Sequence, residues 1–374
     1  MKIAILTYYQ IANYGTLLQA YGLWKFLEAR GHQVEFLDEP YGRSMFAYRR
    51  PTLRSFVSRH PLQAWRGILG RYLYNKMTAF NADYPRTRRF ASLEDLKANF
   101  SGYDAVVVGS DLVWHPKWCS PKFTDIAFLG FVKGTCRKVS LSPSFSSTEW
   151  DAPDREKAGR LLSGFDGIGV REASGKALAA EISGRADVEA FVDSALLLDG
   201  SAYRKLLSRR RPQGPFVFSY VLGWSDGDEE RALLDIVRQG LHVTDVLGQT
   251  GDCGDAWDVV ARLARVPRRV TVGEWLRRIH DASFVLTNSF HGTVFSILMH
   301  RPFATILIKG GMSGLNERAI SLLRLLGLES RMMHNDEPER LRAAMAEQID
   351  WPSVDARLRR ERERVSEFLG RFGL

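Results

Sequence analysis

The 374-residue sequence lacks the features that mark several classes of protein. It has only three cysteines, which lie far apart and fit no metal-binding or redox spacing, so we expect reduced thiols in a cytoplasmic protein. Its longest apolar runs, such as 105–108 and 304–308, have the length of strands, well short of the roughly 20 residues that cross a bilayer. Met1 and Lys2 lead directly into a strand-like run with no cleavage pattern behind it, so no signal peptide is expected.

Motifs for two kinds of site are absent as well. The sequence contains neither a glycine-rich loop of the kind that cradles nucleotide phosphates nor the paired His and Glu residues of a zinc motif. Nucleotide hydrolysis and a metal centre are therefore not indicated, and we expect no metal and no cofactor.

Length and composition predict two globular domains. A chain of 374 residues exceeds one ordinary domain, and 45% hydrophobic with 25% charged residues is typical of a protein with full cores. A strand at 2–7, a helix from Thr16 and a strand at 33–38 form the opening of a doubly wound sheet, and a second such opening begins at 215–221. The pattern predicts an α/β fold with two doubly wound, Rossmann-like domains and a cleft between them.

The predicted boundaries place the N-terminal domain at 1–195 and the C-terminal domain at 196–352. Residues 353–374 read as a highly charged final helix whose apolar positions pack on the body of the protein.

Basic charge is concentrated in one predicted insertion of the N-terminal domain. The formal net charge is +9, and residues 41–89 contain eleven Lys or Arg against a single acid, Asp83, with aromatic residues interleaved. Such a segment suits an anionic membrane surface or a lipid-linked substrate, and it also suits nucleic acid. The plain alternative is a solvated, partly helical insertion whose rings pack on the domain. No recognised nucleic-acid motif accompanies the segment, so no nucleic-acid partner is expected.

The run Thr287-Asn-Ser-Phe-His-Gly-Thr293 combines a strand end, a histidine and a helix predicted from Thr293. Open α/β sheets bind ligands at this edge, and backbone N–H groups at a helix start favour an anion. Gly292 permits close backbone approach, and His291 has a side chain suited to acid–base chemistry. The alternative for His291 is a helix-capping or packing role.

Two arginines form a second candidate constellation. Arg171 follows a predicted strand at 167–170, and Arg318 lies at the start of a predicted helix. The planar guanidinium suits carboxylate and phosphate, whereas a lone arginine usually lies on the surface or in a salt bridge.

Two loops are expected at the mouth of the N-terminal sheet. Asn13, Tyr14 and Gly15 follow the first strand, and the run 109–111 follows another. Asp111 at the end of that run either takes a proton from a substrate hydroxyl or holds its loop by hydrogen bonding.

Together these blocks resemble the polysaccharide pyruvyl transferase family. The blocks that carry the resemblance occur in order over nearly the whole chain: Asn13–Gly22, Val108–Trp114, Gly169–Ser174, Val192–Leu197, Thr287–Thr293 and Asn316–Arg331. The sequence departs from the family pattern at Leu112, at His115 and over 141–146, all in its N-terminal half.

The resemblance implies a GT-B-like arrangement with an interdomain cleft, and an enzyme that needs no metal. It implies transfer of the enolpyruvyl or pyruvyl group of phosphoenolpyruvate onto sugar hydroxyls of a polysaccharide or lipid-linked glycan precursor, as in exopolysaccharide biosynthesis, forming a pyruvate ketal. Two alternatives stay open, a nucleotide-sugar-dependent glycosyltransferase of related fold and a non-catalytic carbohydrate-binding protein.

The predicted site residues fall into three groups. We expect His291 and Asp111 to be catalytic. The C-terminal domain is expected to bind the donor, and the donor-binding candidates are Arg171, Arg318, Ser289, Phe290 and Gly292. The N-terminal domain is expected to bind the acceptor, with Asn13, Tyr14 and Gly15 as candidates. The predicted location is the cytoplasm, with 41–89 as the candidate contact to the inner face of the membrane.

Overall fold

The structure, a computed structural model, describes residues 1–11, 13–40, 79–116, 121–147, 149–222, 228–243, 245–247 and 270–374. Most of the predicted basic insertion, 41–78, lies outside the described residues, so the structure leaves that prediction untested. Its last part, 79–89, packs on the body. The Tyr84 ring lies 4.8 Å from that of Phe36, and the Tyr84 hydroxyl donates to the carbonyl of Leu17 at 2.8 Å.

The first unit is a parallel sheet with helices. Its described strands are β1 (Lys2–Leu6), β2 (Gln33–Phe36), β3 (Ala105–Val108), β4 (Arg137–Ser140), β5 (Gly167–Val170) and β6 (Glu189–Ala190). Its described helices are α1 (Tyr14–Ala29), α2 (Leu93–Asn99), α3 (Pro121–Ala127), α4 (Ala152–Leu162) and α5 (Ala173–Ser183). The strand order is β2-β1-β3-β4-β5-β6. It reverses between β1 and β3, a position at which open sheets bind ligands.

The second unit repeats this plan. Its described strands are β7 (Phe216–Tyr220), β8 (Asp245–Leu247), β9 (Phe284–Thr287), β10 (Phe303–Ile306) and β11 (Met332–Met333). The described helices that follow α5 are α6 (Gly200–Arg204), α7 (Asp228–Leu241), α8 (Val272–Asp281), α9 (Phe290–Leu298), α10 (Glu317–Leu326), α11 (Pro338–Ala346) and α12 (Trp351–Gly370). The strand order is β11-β10-β9-β7-β8, with the reversal between β7 and β9.

Local sequence explains where these elements form. The central strands β3 and β7 read Ala-Val-Val-Val and Phe-Val-Phe-Ser-Tyr and are buried throughout, as expected for parallel strands covered on both faces. Asn13 caps α1, and Thr271 with Glu274 forms a capping box on α8. Gly184 and Gly327 end α5 and α10 in the left-handed conformation that glycine adopts without strain.

The predicted fold class, two doubly wound α/β domains, is confirmed. The first sheet ends at Ala190 and the second begins at Phe216. The predicted boundary at 195 falls between them, within a 3₁₀ helix at Ser194–Leu197. One predicted start was wrong, because α9 begins at Phe290 rather than at Thr293. The Ser289 side chain caps the helix by accepting a hydrogen bond from the Gly292 amide, which places His291 inside the first turn.

Two helices join the domains. The start of α1, including Tyr14 and Leu18, belongs to the hydrophobic core of the second domain, whereas Leu27 near its end belongs to that of the first. Helix α12 does the same in the opposite order, with Leu358 in the second domain's core and Leu369 in the first's. Each fully buried leucine of this kind contributes roughly 1.5–3 kcal/mol relative to exposure, so the interface is a structural core.

No helix among the described residues combines the length and the apolar character needed to cross a membrane.

Candidate active site

His291 lies in the first turn of α9, directly after β9, and is 7% exposed. The turn that carries it is fixed by Thr287, whose hydroxyl donates to the carbonyl of Tyr220 at 2.6 Å and accepts from the Ser289 amide at 3.0 Å. A Cβ on Gly292 would lie 2.3 Å from the Thr287 hydroxyl, so only glycine lets the helix approach the strand end this closely. Ser289 and Gly292 thus hold the turn, and their contact with a donor stays a prediction.

A buried carboxylate, Asp193, joins His291 to Arg171. Asp193 follows β6, and its Oδ1 accepts from the Ala195 amide at 2.8 Å. Its Oδ2 lies 2.6 Å from Arg171 Nη2 and 3.7 Å from His291 Nε2. Burial alone would raise the pKa of Asp193, but the Arg171 charge and His291 outweigh it and hold that pKa below its usual range. Asp193 is therefore ionised at neutral pH.

Arg171 is a buried cation with unused hydrogen-bonding capacity. Its side chain is 3% exposed and forms the ion pair with Asp193. Among the described residues, none of its three guanidinium nitrogens has a hydrogen-bond partner of acceptable geometry. Buried polar groups are ordinarily hydrogen-bonded, and a planar guanidinium matches carboxylate and phosphate oxygens. The structure thus places an incompletely satisfied anion-binding group beside His291.

Phe290 brings the second arginine to the same place. The Cζ atoms of Arg171 and Arg318 lie 5.0 and 5.5 Å from the centre of the Phe290 ring, within the range of cation–π attraction. Burial and then the charge of Arg171 lower the pKa of Arg318 to about 10, against the opposite effect of nearby carboxylates. Arg318 stays protonated at neutral pH, so both guanidinium groups present positive charge here.

These side chains line a pocket of about 300 Å³, at the small end of ligand pockets. Arg171, Asp193, Phe290 and Arg318 form part of its wall, and Lys176 from α5 adds a further positive charge. The pocket lies between the carboxyl edges of the two sheets, where Arg171 follows β5 and Phe290 follows β9. Arg171 and Arg318 thus lie in the wall of one pocket, and His291 lies beside that wall, against Asp193 and Phe290, while their roles as site residues stay a prediction.

The first loop of the N-terminal sheet meets the same histidine. The Asn13 side chain accepts from the amides of Gly15 and Thr16 at 3.0 and 3.3 Å and so caps α1. Gly15 packs on the imidazole so closely that a Cβ there would lie 2.0 Å from His291 Nδ1. The candidate acceptor-binding residue Gly15 is therefore in direct contact with the candidate catalytic residue His291.

Tyr14 has no exposed surface in this structure. Its ring stacks on that of Trp275 at 5.1 Å, and its hydroxyl donates to the carbonyl of Val270 at 2.9 Å. Tyr14 thus packs between the domains, and acceptor binding by this side chain, still a prediction, requires the domains to separate.

Asp111 uses both carboxylate oxygens to hold its loop. Oδ1 accepts from the Leu112 amide at 2.9 Å, and Oδ2 accepts from the Thr16 hydroxyl at 2.6 Å. Its φ of 76° is a left-handed conformation that a non-glycine residue adopts at some cost. These contacts match the loop-holding alternative, and proton abstraction by Asp111 stays a prediction.

Sequence reasoning missed two buried acids, Asp193 and Glu172. Glu172 Oε1 accepts from the Ser144 hydroxyl and from the amides of Phe145 and Ser146 at 2.8–3.0 Å, which fixes the loop after β4. Their position in the sequence could have revealed them. Both acids follow strands at the same sheet edge as Arg171, and both lie in blocks that carry the family resemblance. Within the described part of the chain, no group of three His, Cys, Asp or Glu side chains suits a metal ion.

Comparison with solved structures finds likeness over the full length at low identity. The calicheamicin glycosyltransferase CalG4 is 15% identical with a TM-score of 0.45, covering 100% of this chain and 99% of that chain. The UDP-GlcNAc 2-epimerase from Methanocaldococcus jannaschii is 9% identical with a TM-score of 0.47, covering 94% and 93%. The UDP-GlcNAc 2-epimerase from Neisseria meningitidis bound to UDP-GlcNAc is 8% identical with a TM-score of 0.49, covering 99% and 100%. No curated protein sequence matches the chain significantly.

The polysaccharide pyruvyl transferase family model matches residues 13–309. That match spans most of the chain and includes Arg171, Asp193 and His291, while Arg318 lies just beyond it. The resemblance read from the sequence blocks is confirmed, and the chain belongs to the polysaccharide pyruvyl transferase family, a family of transferases.

Proposed function

We propose that this transferase moves the pyruvyl group of phosphoenolpyruvate onto two hydroxyls of one sugar in a polysaccharide or lipid-linked glycan precursor, forming a cyclic pyruvate ketal. The observation that carries the proposal is the convergence of Arg171, Arg318 and His291 around Phe290. Phosphoenolpyruvate carries a carboxylate and a phosphate on adjacent groups, so its recognition requires two cationic contacts close together.

The reaction balances without any further reactant. The methylene carbon of the donor gains a proton, which leaves positive charge at C2, and one sugar hydroxyl adds there. Loss of phosphate and addition of the second hydroxyl then close the ketal. The two hydroxyls release two protons, of which one becomes the third hydrogen of the new methyl group and the other leaves with phosphate.

The protein's part in this chemistry is positioning and charge stabilisation. Arg171 and Arg318 would bind the carboxylate and the phosphate, and the amides of Phe290 and His291, which precede the Gly292 amide that Ser289 caps, would add further N–H donors. Positive groups arranged beforehand stabilise the charge that develops on the leaving phosphate. His291 would act as the acid–base group, or as an imidazolium that stabilises the phosphate, and both roles fit its place between Asp193 and the pocket residue Phe290.

For the acceptor we propose the side of the cleft formed by the N-terminal domain, and for the protein a cytoplasmic location with contact to the inner membrane surface through 41–89. The support is the eleven basic residues against one acid in that segment. Sedimentation with anionic liposomes should fall as salt rises, because exposed charges are screened within about 8 Å at physiological ionic strength. Binding that salt does not change, or no binding, would leave the segment as a solvated insertion.

Ligand-dependent thermal stabilisation tests the donor. A ligand present at 100 times its Kd adds about 2.7 kcal/mol to the stability of the folded state, so phosphoenolpyruvate, UDP and CMP are compared side by side. We expect stabilisation by phosphoenolpyruvate that is lost in Arg171→Gln, with phosphate release once an acceptor glycan is added. Stabilisation by UDP alone would instead support the nucleotide-sugar alternative, and stabilisation by a glycan alone the carbohydrate-binding alternative.

A further inference from the structure

The two nitrogens of His291 have different surroundings. Nε2 is buried, has no hydrogen-bond partner among the described residues, and faces Asp193 Oδ2 at 3.7 Å. Asp193 Oδ2 is likewise buried and without a hydrogen bond in the described part of the chain, although it is ion-paired with Arg171. A buried donor and a buried acceptor that face each other are expected to pair, and a shift of less than about 1 Å brings them to hydrogen-bond distance.

Nδ1 and the neighbouring Cγ lie against Gly15. A Cβ at Gly15 would come within 2.0 Å of Nδ1 and of Cγ, closer than any real contact. Any other residue at position 15 would therefore cover Nδ1 or displace the ring. Glycine at this position therefore admits the ring in its present orientation, although it lies near the start of a helix, where glycine costs stability relative to alanine.

We propose that Asp193 is a positioning residue that fixes the neutral imidazole of His291 with its proton on Nε2, which leaves Nδ1 as the unprotonated nitrogen that exchanges a proton with substrate, and that Gly15 admits the ring in this orientation. The tautomer of a histidine is set by the hydrogen bond that its other nitrogen makes, and an ionised carboxylate accepts from N–H but donates nothing. Each sugar hydroxyl loses its proton to Nδ1 as it adds; the first proton passes on to the methylene carbon of the donor and the second to the departing phosphate, while Nε2 keeps its own proton throughout.

Asp193 acts on the donor site as well. Because the same Oδ2 pairs with Arg171 Nη2 at 2.6 Å, one carboxylate fixes the direction of the guanidinium and of the imidazole together. The other charged groups around this cluster are Arg318 from α10, Asp111 after β3 and Glu172 beside Arg171, and all three act electrostatically on the site. Within the described residues none of the three forms an ion pair or hydrogen bond with His291, so Asp193 is the carboxylate assigned to the tautomer.

The inference rests on the proposed function only for the identity of the substrate, so its first test needs no donor. Nitrogen-15 NMR of histidine-labelled protein distinguishes the two tautomers at a pH above the imidazole titration, with His291→Gln assigning the signal among the eight histidines. We expect the Nε2-protonated form in the unaltered protein and a mixed or inverted population in Asp193→Asn. A proton on Nδ1 in the unaltered protein overturns the proposal, as does an unchanged tautomer in Asp193→Asn. Because the first reading is made on the unaltered protein, failure of the variant to fold does not remove the test.

Asp199→Asn is the matched control for that variant. Asp199 also caps a short helix, by accepting from the amides of Ser201 and Ala202, but has no contact with the site. In phosphoenolpyruvate transfer, Asp193→Asn should lower kcat at least about 10²-fold and change the pH profile, whereas Asp199→Asn leaves both as they were. An equal effect of the two substitutions would reduce Asp193 to a helix cap. If phosphoenolpyruvate proves not to be the donor, the NMR measurement still tests the tautomer, and only the comparison of kcat no longer applies.

Gly15→Ala tests the other half of the proposal, with Gly370→Ala as its control. No atom lies within 4 Å of a Cβ added at Gly370, so that change is structurally silent. Gly15→Ala should lower kcat at least about 10²-fold and shift the His291 nitrogen signals in a folded protein. Full activity with an undisturbed His291 spectrum would show that the ring does not need glycine at position 15, and would overturn this half of the proposal.

Discussion

The two sides of the His291 ring are built from opposite kinds of contact. On the apolar side Gly15 packs on the ring, and its neighbour Tyr14 packs with Tyr220 and Trp275, aromatic rings from both domains at 5.1–6.1 Å between centroids. On the charged side Arg171 and Asp193 form a buried ion pair, and none of the three guanidinium nitrogens has a hydrogen bond within the described part of the chain. The apolar side is held by ring packing, although Trp275 Nε1 is buried without a hydrogen bond among the described residues, whereas the charged side has unused donors that suit an anion. The difference separates the contacts that hold the domains together from the ion pair that we propose binds the donor.

Removing a ring from the apolar side should have the largest effect, and on stability. Truncation of a fully buried aromatic side chain costs about 3–5 kcal/mol, so Tyr14→Ala should lower the free energy of unfolding by that amount, as measured by urea denaturation. Tyr103→Ala, which removes a half-buried ring far from the second domain, should cost clearly less. If Tyr14→Ala cost under about 1 kcal/mol, the apolar side would not be the element that joins the domains.

Removing the imidazole ring of His291, which lies between the two sides, should lower transfer activity and leave the fold intact. His291→Ala is expected to fold normally and to lose at least about 10²-fold in transfer, or roughly 2.7 kcal/mol. His300 follows the same helix and is exposed, with its Nε2 3.0 Å from Asp355 Oδ1, so His300→Ala should keep its turnover. Near-normal turnover in a folded His291→Ala protein would end the catalytic assignment.

The strand and helix pattern was predictable because each element carries its own signal. Buried parallel strands read as continuous apolar runs, and the candidate site was predicted at strand ends and helix starts because open sheets bind ligands at that edge. Arg171 after a strand and Arg318 at a helix start were selected in this way, although 147 positions separate their numbers in the sequence.

The partners of these residues were not predictable, because burial and pairing are tertiary properties. Asp193 reads as one acid among 43 acidic residues until the fold places it against Arg171 and His291. Tyr14 was interpreted as a loop residue at a sheet mouth. The Asn13 cap instead starts α1 at Tyr14, which directs that ring into the neighbouring domain. The local sequence pattern predicts which element carries a side chain but not which residues that side chain contacts.

Substitution of either arginine of the candidate donor site should have the next largest effect, and on the affinity for the donor. A lysine ammonium does not reproduce the planar fork of arginine, so Arg171→Lys and Arg318→Lys should each weaken phosphoenolpyruvate binding by about tenfold, measured by calorimetry. At position 318 burial and the charge of Arg171 lower the pKa of the present arginine to about 10. The same effects would lower the pKa of a lysine at this position. The affinity of Arg318→Lys for phosphoenolpyruvate should therefore fall as pH rises above neutral, whereas the affinity of the unaltered protein should not change. Equal binding at every pH would place Arg318 outside the donor site.

The smallest effect comes from deleting one hydroxyl on each side of the His291 ring. Tyr14 donates to the Val270 carbonyl at 2.9 Å on the apolar side, and Tyr203 donates to the Ala195 carbonyl at 2.8 Å, two residues after Asp193. Each Tyr→Phe change removes one buried hydrogen bond and should cost about 1 kcal/mol of unfolding free energy. Only Tyr203→Phe loosens the segment that carries the charged side, so only that variant should also raise the KM for the donor. A KM raised equally in both variants would show that the two sides act as one unit, and not as separate structural and binding elements.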